Sequence, residues 1–555
     1  MDFTVQSNCR NLYPSKNTGN SSMALSRRRF LQSTAAGAVL VGVAPLSGFA
    51  EPSGGTLKAV MHADLRSFDP VWTTATITGY HAALIYDTLF GIDEAGMVQP
   101  QMVGDWTRSE DGLCYDFSLR DGLVFSDGTP VTAKDCVASM KRWAARDTAG
   151  QLMFSYVSDT PVVDDRRFSI LLSEPYGLVL ETLAKTSNCL WIMREQEALT
   201  PPDQQITAYI GSGPFTFNRD ETKMGVSYVY DRNGRYVPRA EMPSGTAGAK
   251  IARLDRVILE NISDPQTAVA ALENGEIDFY EVPPLELLPQ IEGDPDVKLE
   301  VLNDLGIIGF IRLNHLHPPF DNPKAREAML YVVNQLDVMR ATFGDERYFN
   351  ACDSLFGCGT AMHNDVNTDW FKHGQDLEKA AQLFKEAGYN GEPVVILQGT
   401  TLPMPNMAAQ LIAQWLQKAG INAQLAPSDW GGVVSRRAVM APPAEGGWNI
   451  FITYNPTSTF NSPILFPGWQ MNGKKGFFGW PDDPKLEDMR KAWTFAKTED
   501  ERLEIARQMQ QEGWDFIPHI LAGQWKSPVA MRRNVSGFLP VPDLIPFWNV
   551  EKTPA

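Results

Sequence analysis

Residues 105–143 read DWTRSEDGLCYDFSLRDGLVFSDGTPVTAKDCVASMKRW, and this stretch decides the local fold around it. Asp-Gly pairs are strong turn signals because the turns that favour them need positive φ angles. The stretch holds three such pairs: Asp111-Gly112, Asp121-Gly122 and Asp127-Gly128. Two short strands of alternating polarity should be punctuated by these turns. Thr132 followed by Asp135 resembles a helix cap, so a helix should begin there and continue through Trp143.

The same mixture of elements continues along the chain on both sides. Strands are predicted where short apolar or alternating runs meet turn residues, as in RRFSILLSEPY, LDRVILENI, EPVVILQGT and WNIFITYN. Helices are predicted where apolar residues recur at helical spacing, including a long amphipathic helix capped at Asp321 and helices ending at Gly388 and Gly420. Strands and helices alternate without a fixed repeat, which indicates an α/β protein with several sheets.

Length and charge limit what the chain can do. It has 555 residues, 43% of them hydrophobic and 21% charged, which is a globular composition large enough for two or three domains. The net charge is −17, and the first 50 residues hold five basic residues and one acidic residue, which leaves the rest at −21. Phosphate backbones and anionic lipids repel such an acidic protein, so we expect neither nucleic-acid nor membrane-surface binding.

An export signal is predicted near the amino terminus. SRRRFLQ at 26–32 precedes an apolar run over 35–49, which is shorter than the ~20 residues of a membrane-spanning helix. The order S-R-R-x-F-L is similar to the twin-arginine signal, with Arg27 and Arg28 as its arginine pair. An ordinary Sec signal and an uncleaved anchor are the alternatives.

Removal of this signal would place the protein in the periplasm. The small residues around Ala50 are suited to signal peptidase, so we expect cleavage near Ala50 and a soluble mature chain. Residues 1–50 would then be an N-terminal extension followed by the twin-arginine signal peptide. Either Met1 or Met23 could be the true start, because residues 1–22 carry no signal features.

The sequence offers no catalytic signature. G-x-S-x-G, G-x-x-x-x-G-K-[ST] and H-E-x-x-H are all absent, and Gly211-Ser212-Gly213-Pro214 lacks the amide that a dinucleotide phosphate would need at Pro214. With 66 acidic residues, chance carboxylate pairs are expected, so they give little support to a glycosidase. We expect no catalytic residues and no cofactor. A large exported α/β protein of this kind suggests binding.

The cysteines and histidines suggest one structural bond and no metal site. Cys352 and Cys358 flank DSLFG, a short turn-like loop, so in an oxidising compartment they are a candidate disulfide. Cys114, Cys136 and Cys189 lie in apolar surroundings and are interpreted as buried thiols. The seven histidines are scattered, with no zinc-like ligand set nearby.

The stretch from residue 104 to 143 closely resembles the signature of the extracellular solute-binding proteins of family 5, the peptide- and nickel-type binding proteins of ABC importers. Further resemblance lies in GSGPF at 211–215, PPFDNPKAREAMLYVVN at 318–334 and KAAQLFKEAGY at 379–389. The matching positions of the first stretch are Trp106, Asp111, Gly112, Tyr115, Phe117, Leu119, Arg120, Gly122, Phe125, Asp127, Gly128, Pro130, Thr132, Ala133 and Asp135.

This resemblance implies a two-lobed periplasmic binding protein fold (type II), with a hinge between the lobes and an extra subdomain on the first lobe. Mapped on this chain, lobe 1 takes residues 51–95, 212–305 and 525–555, the extra subdomain takes 96–211, and lobe 2 takes 306–524. The ligand would be enclosed when the lobes close, and it must contact both lobes to favour the closed state.

Peptide binders of this family resemble one another in a second-lobe strand and the loop after it, where an aspartate pairs with the peptide α-amino group. Here the strand is WNIFIT at 448–453, and the loop YNPTSTFNSP at 454–463 has no acidic residue, with Ser458 near the place of that aspartate. A buried ammonium without a carboxylate costs several kcal/mol. Ser458 and the other candidate lining residues are Tyr80, Trp430, Arg436, Tyr454, Asn455, Thr457 and Trp469.

Several ligands and roles stay open at this point. Aromatic faces can enclose peptide side chains or sugar rings, and Arg436 could clamp a carboxylate. Di- or oligopeptides are the first candidates, and an opine, an amino-acid conjugate, a sugar or a metal chelate are the alternatives. The implied partners are an inner-membrane ABC permease with its ATPase subunits and, during export, the twin-arginine translocase; we expect a monomer. An exported hydrolase and a sensor or chaperone are the competing roles.

Overall fold

We describe a computed structural model of the chain, in which residues 54–496 and 498–554 are described. The predicted export signal at Arg27 and Arg28, and the cleavage site near Ala50, lie outside these residues.

A seven-stranded mixed sheet organises the first part of the molecule. Its central strand is parallel to both of its neighbours, and the outer strands are antiparallel. In spatial order the strands are Val297–Glu300, Val529–Arg532, Phe279–Tyr280, Thr56–Val60, Arg256–Glu260, Ser227–Arg232 and Phe215–Lys223. The helices attached to this sheet are Thr76–Ile85, Pro265–Glu273 and Leu288–Gly293.

A six-stranded sheet organises the second part. In spatial order its strands are Phe349–Asn350, His519–Trp525, Ile307–Leu313, Ile450–Pro456, Val394–Gly399 and Ala423–Ser428. The helices around it are Pro323–Val332, Gln335–Phe343, Leu377–Glu386, Pro403–Lys418, Trp430–Arg436, Thr457–Phe460, Pro484–Phe495 and Glu499–Phe516. Within residues 54–496 and 498–554, no helix has the length and apolar character needed to cross a membrane.

Smaller elements complete the molecule. An antiparallel four-stranded sheet has the order Val103–Arg108, Cys114–Leu119, Arg167–Leu172 and Val157–Asp159, with helices Ala133–Ala144, Thr148–Tyr156, Val179–Ala184 and Glu195–Ala198 beside it. Two-stranded ribbons pair Phe90–Ile92 with Val98–Pro100, and Val535–Ser536 with Glu551–Lys552. Short 3-10 helices lie at Leu285–Leu287, Glu346–Tyr348, Asp369–His373, Pro443–Glu445, Pro467–Trp469 and Gly473–Lys475.

The structure confirms the local predictions for the stretch 105–143. Its two strands pair in antiparallel fashion, and the glycine of each Asp-Gly pair has a positive φ angle. The backbone N–H of Thr132 donates to the Asp135 carboxylate at 2.7 Å, which completes a capping box for the helix Ala133–Ala144. Local turn and cap chemistry therefore builds this region as the sequence indicates.

The long helix predicted after Asp321 is different in the structure. The capping residue is Asn322, whose side chain accepts from the Lys324 N–H at 2.9 Å, and the helix ends at Val332. A second helix begins after Asn334, which is its own capping residue. The prediction of one continuous helix capped at Asp321 was wrong, because an asparagine in extended conformation interrupts the apolar periodicity.

The cysteines divide into bonded and free ones. Cys352 and Cys358 form a disulfide whose Cα atoms are 5.7 Å apart. Cys136 and Cys189 are free and buried. Cys114 is disulfide-bonded, which corrects the interpretation of this residue as a buried thiol.

The chain crosses between the two larger sheets twice, at 300–307 and at 525–529. The two crossings lie side by side, because Lys526 Nζ is 3.0 Å from Asp304 Oδ1. A partly exposed ion pair of this kind contributes little stability, so it shows where the two connecting segments meet rather than fixing them together. Two adjacent connections are what a hinge between two lobes requires.

Gly306 shapes the first crossing. Its φ angle is +61°, and a Cβ atom at this position would lie 2.1 Å from the carbonyl oxygen of Trp525. Both the left-handed backbone and the close approach of the second crossing require a residue without a Cβ atom. The contact between the two crossings therefore depends on this glycine.

Candidate ligand-binding site

The candidate site is the region between the two larger sheets at the crossings 300–307 and 525–529, which we call the cleft. In the seven-stranded sheet, the parallel strands Thr56–Val60, Arg256–Glu260 and Phe279–Tyr280 end at the edge where Glu300 pairs with Val529. In the six-stranded sheet, the parallel strands Val394–Gly399, Ala423–Ser428 and Ile450–Pro456 end at the edge where Ile307 pairs with Trp525. Carboxyl ends of strands are the usual ligand-binding edges of α/β sheets, so the cleft between them is the candidate site.

Three side chains at the edge of the seven-stranded sheet form one hydrogen-bonded group. Tyr80 donates its hydroxyl to Glu281 Oε1 at 2.8 Å, and His62 Nδ1 lies 2.8 Å from Glu281 Oε2. The backbone N–H of His62 also donates to Oε2, at 2.7 Å. Both carboxylate oxygens of Glu281 are therefore occupied within the protein.

The charges of this group are balanced. Burial lowers the pKa of His62, but the hydrogen bond and the charge of Glu281 outweigh burial, so the pKa of His62 is raised above its ordinary value. Burial, followed by the charges of Glu281 and Asp543, raises the pKa of Tyr80 well above its ordinary range. Tyr80 therefore stays protonated as a hydrogen-bond donor, and His62 gains positive charge beside Glu281.

The edge of the six-stranded sheet brings together four of the predicted residues. Tyr454 and Asn455 end the strand Ile450–Pro456 and are partly exposed, and the Tyr454 ring meets Trp525 edge-on at 5.4 Å. Thr457 is fully buried, and its hydroxyl has no partner among the described residues. Ser458 follows it and points at an acidic side chain from another part of the chain.

That side chain is Asp543, in the carboxyl-terminal segment. Ser458 Oγ donates to Asp543 Oδ2 at 2.8 Å, and Thr186 Oγ1 lies 3.3 Å from the same oxygen. Residue 186 belongs to the four-stranded part, residue 458 to the six-stranded part and residue 543 to the tail. One carboxylate therefore ties three parts of the molecule together beside the cleft.

The remaining predicted lining residues are engaged in packing in this structure. Trp430 stacks on Phe451 at 6.2 Å between ring centres. Arg436 donates to the carbonyl oxygens of Gly446 and Gly447 at 3.0 and 2.9 Å, so two of its donors already hold a loop. Trp469 is fully buried and packs in the core of the six-stranded part rather than facing the cleft.

Three residues of the site were not singled out from the sequence: His62, Glu281 and Asp543. Glu281 immediately follows the short strand Phe279–Tyr280, so a search for polar residues at carboxyl ends of strands could have found it. Asp543 lies in VPDLIPF, an irregular segment with no periodic signal. Its place at the cleft follows only from the return of the chain to the seven-stranded sheet.

Direct contacts also join the four-stranded and six-stranded parts. The guanidinium of Arg502 pairs with the carboxylate of Glu181 and donates to the carbonyl oxygen of Gly177 at 2.8 Å. The N–H of Gly177 donates to the carbonyl oxygen of Thr494 at 3.1 Å. We call this group of contacts the Glu181–Arg502 latch. It forms only when these two parts of the molecule are in contact.

One set of potential metal ligands lies elsewhere. Ligand atoms of Asp353, Cys358 and His363 lie within 4.8 Å of one another. The sulfur of Cys358 is bonded to Cys352, so it offers no thiolate while the disulfide is intact. The group is therefore not a ready site for a soft metal ion in this structure.

Comparison with known proteins identifies the class. The model of the bacterial extracellular solute-binding proteins, family 5 Middle, matches residues 97–477 of the chain. The chain belongs to this family, and it has the two-lobed fold of periplasmic binding proteins.

Individual relatives extend the match to nearly the full length. The "Probable peptide ABC transporter periplasmic-binding protein y4tO" of Sinorhizobium fredii (strain NBRC 101917 / NGR234) is 47% identical over 533 residues, covering 96% of this chain and all of that protein. The glutathione-binding protein GsiB of Escherichia coli (strain K12) is 24% identical over 498 residues, covering 87% of this chain and 91% of that protein. The structure of HbpA2 from Haemophilus parasuis superposes with a TM-score of 0.75 at 23% identity, covering 90% of this chain and 100% of that chain.

Proposed function

We propose that this protein captures di- or oligopeptides in the periplasm and delivers them to an inner-membrane ABC permease driven by ATPase subunits. The observation that carries the proposal is the match, 47% identical over 96% of the chain, to a relative named for peptide transport. The geometry of the cleft agrees with this role, because strand ends from both larger sheets meet there. Export by the twin-arginine translocase, guided by Arg27 and Arg28, would bring the folded protein to its place of work.

Lobe closure is the proposed mechanism of capture. Lobe 1 comprises residues 51–95, 212–305 and 525–555, with the extra subdomain at 96–211, and lobe 2 comprises 306–524. The seven-stranded, four-stranded and six-stranded sheets fall in these three parts respectively. A solute that contacts both lobes stabilises the closed arrangement, and the permease recognises that arrangement.

The cleft suits a ligand with peptide-like groups. Tyr454 and Asn455 offer an aromatic face and an amide on lobe 2, and the backbone at the strand ends offers donors and acceptors that fit many sequences. An opine, an amino-acid conjugate, a sugar or a metal chelate remain the alternative cargoes of the same site. The competing role is an exported hydrolase, and burial keeps the Tyr80 hydroxyl protonated, which disfavours it as a nucleophile.

Native mass spectrometry of the protein purified from the periplasm without refolding tests the proposal. We expect a retained mass in the range of a di- to oligopeptide, whose sequence fragmentation would reveal. Protein that arrives empty is then screened by thermal shift against peptide mixtures, opines and sugars. A melting temperature that rises with opines or sugars but with no peptide mixture would refute peptide capture, while turnover of a peptide during the screen would favour the hydrolase.

A further inference from the structure

Asp543 is a carboxylate without a cation. It accepts hydrogen bonds from the neutral hydroxyls of Ser458 and Thr186, at 2.8 and 3.3 Å. The cation that acts on it electrostatically is Lys185, whose ammonium group is bonded to Asp147 at 2.6 Å. Among the described residues, Asp543 therefore has no ion-pair partner of its own. Burial raises the pKa of the Asp543 carboxyl above its ordinary value, although both hydroxyls and Lys185 favour its charged form.

One oxygen of this carboxylate is still open. Both hydrogen bonds that the structure shows for Asp543 end on Oδ2, and no donor from the described residues reaches Oδ1. Asp543 keeps part of its surface exposed, and Oδ1 is not one of the fully buried side-chain oxygens that lack a partner among the described residues. A charged oxygen in a partly desolvated cleft is stabilised when a cation binds it.

The other cleft carboxylate is different. Glu281 accepts from the Tyr80 hydroxyl on one oxygen and from the His62 backbone N–H on the other, and His62 Nδ1 lies 2.8 Å from that second oxygen. Of these two carboxylates, only Asp543 has an oxygen without a hydrogen-bond partner among the described residues. The charge of Asp543 also contributes to the raised pKa of Tyr80.

We propose that Asp543 is the anchor for a primary ammonium group of the bound solute, namely the free amino terminus of a peptide. The loop 454–463 of lobe 2 has no acidic residue, so the carboxylate for this ammonium comes from lobe 1 and is held in place by the hydroxyl of Ser458 in lobe 2. An ammonium group on Oδ1 then completes a contact that spans both lobes, which couples binding to closure. This inference rests on the proposed function and names the chemical group that the site selects.

The variant Asp543→Asn isolates the charge. Its amide oxygen still accepts from the two hydroxyls, and asparagine tolerates the φ angle of +63° at this position, so the fold and the closure contact should persist. Ser458→Ala is the matched control, because it removes the contact between the lobes and keeps the carboxylate. A role of Asp543 in closure alone predicts that the second variant, not the first, impairs binding.

The probes are a randomised tripeptide mixture and the same mixture acetylated at its amino termini, with binding measured by native mass spectrometry and titration calorimetry. We expect the wild-type protein to prefer the free mixture by about tenfold or more. Asp543→Asn should abolish this preference, and Ser458→Ala should weaken both mixtures equally while keeping it.

Comparing the free and acetylated mixtures on the wild-type protein tests the inference even if a variant fails to fold. Equal affinity of the wild type for free and acetylated tripeptides would overturn the inference and leave peptide capture standing. So would a preference that survives in Asp543→Asn. A wild-type protein that binds neither mixture would overturn this inference, and if it also binds no peptide in the thermal-shift screen, the proposed function falls with it.

Discussion

Removing the Glu181–Arg502 latch should make closure harder without changing the ligand contacts. Helix Val179–Ala184 carries Glu181, and Glu181→Ala keeps a good helix former there, so the helix should persist. Arg502 retains its bond to the Gly177 carbonyl oxygen. The variant therefore removes one charged contact that exists only while the extra subdomain and lobe 2 touch.

The expected size of the effect follows from exposure. A charge-assisted hydrogen bond contributes about 1.5–3 kcal/mol where it is shielded from water. The Arg502 side chain is 16% exposed but that of Glu181 is 37% exposed, so solvent screening reduces the contribution to about 1 kcal/mol. That free energy shifts the equilibrium between open and closed forms about fivefold towards the open form.

Small-angle scattering during titration with the peptide found by native mass spectrometry measures this shift. The midpoint concentration for the change from the open to the closed scattering curve should rise about fivefold in Glu181→Ala. Glu386→Ala is the matched control: its carboxylate is also 37% exposed and pairs with Lys324, but both residues lie within lobe 2. A midpoint that stays unchanged in Glu181→Ala, or rises equally in the control, would refute the reasoning.

Three further predictions concern stability. Gly306→Ala should lower the free energy of unfolding, measured by urea titration, by more than about 2 kcal/mol, because φ is +61° and a carbonyl oxygen lies 2.1 Å from the new Cβ. In the control Gly344→Ala, φ is +74° but the new Cβ has no atom within 4 Å, so the free energy of unfolding should fall by about 1 kcal/mol. Burial lowers the pKa of His81 to about 3, so as the pH falls below 6.5 the unfolded state binds a proton before the folded state does. The contribution of His81 to the free energy of unfolding should therefore fall by about 1.4 kcal/mol per pH unit from pH 6.5 down to pH 3. The variant His81→Gln should reduce this slope. Replacing Cys352 and Cys358 by serine removes a cross-link between residues with a sequence separation of 6, which should lower the free energy of unfolding by about 2 kcal/mol. In differential scanning calorimetry, a thiol reductant should then cause no further loss of stability that comes from this disulfide.

Local signals predicted local structure well. The Asp-Gly turns and the Thr132–Asp135 capping box depend only on neighbouring residues, so the sequence was sufficient to predict them. The break at Asn334 shows the limit of periodicity, since the apolar spacing continues across it while the asparagine side chain caps a new helix. Family resemblance, rather than local pattern, predicted the two-lobed fold.

The candidate site was predicted only in part. Counting along the second-lobe loop led to Ser458, and the structure shows that this residue contacts Asp543, 85 positions later in the sequence. No periodicity links residues that distant, because their contact depends on how the lobes meet. Trp469 was predicted to line the ligand site, but it is fully buried. Aromatic residues occur in both binding sites and cores, and the sequence alone does not distinguish the two.

The return of the chain to lobe 1 has a consequence for biosynthesis. Strand Val529–Arg532 lies between Val297–Glu300 and Phe279–Tyr280, and within the described sheet it is the only neighbour of Val297–Glu300. A ribosome must therefore synthesise all of lobe 2 before the sheet of lobe 1 can be completed. Until then the nascent chain exposes an unpaired strand edge, which chaperones and proteases can recognise. Premature termination before Val529 would leave this edge open, so its exposure distinguishes chains that lack this strand from chains that include it.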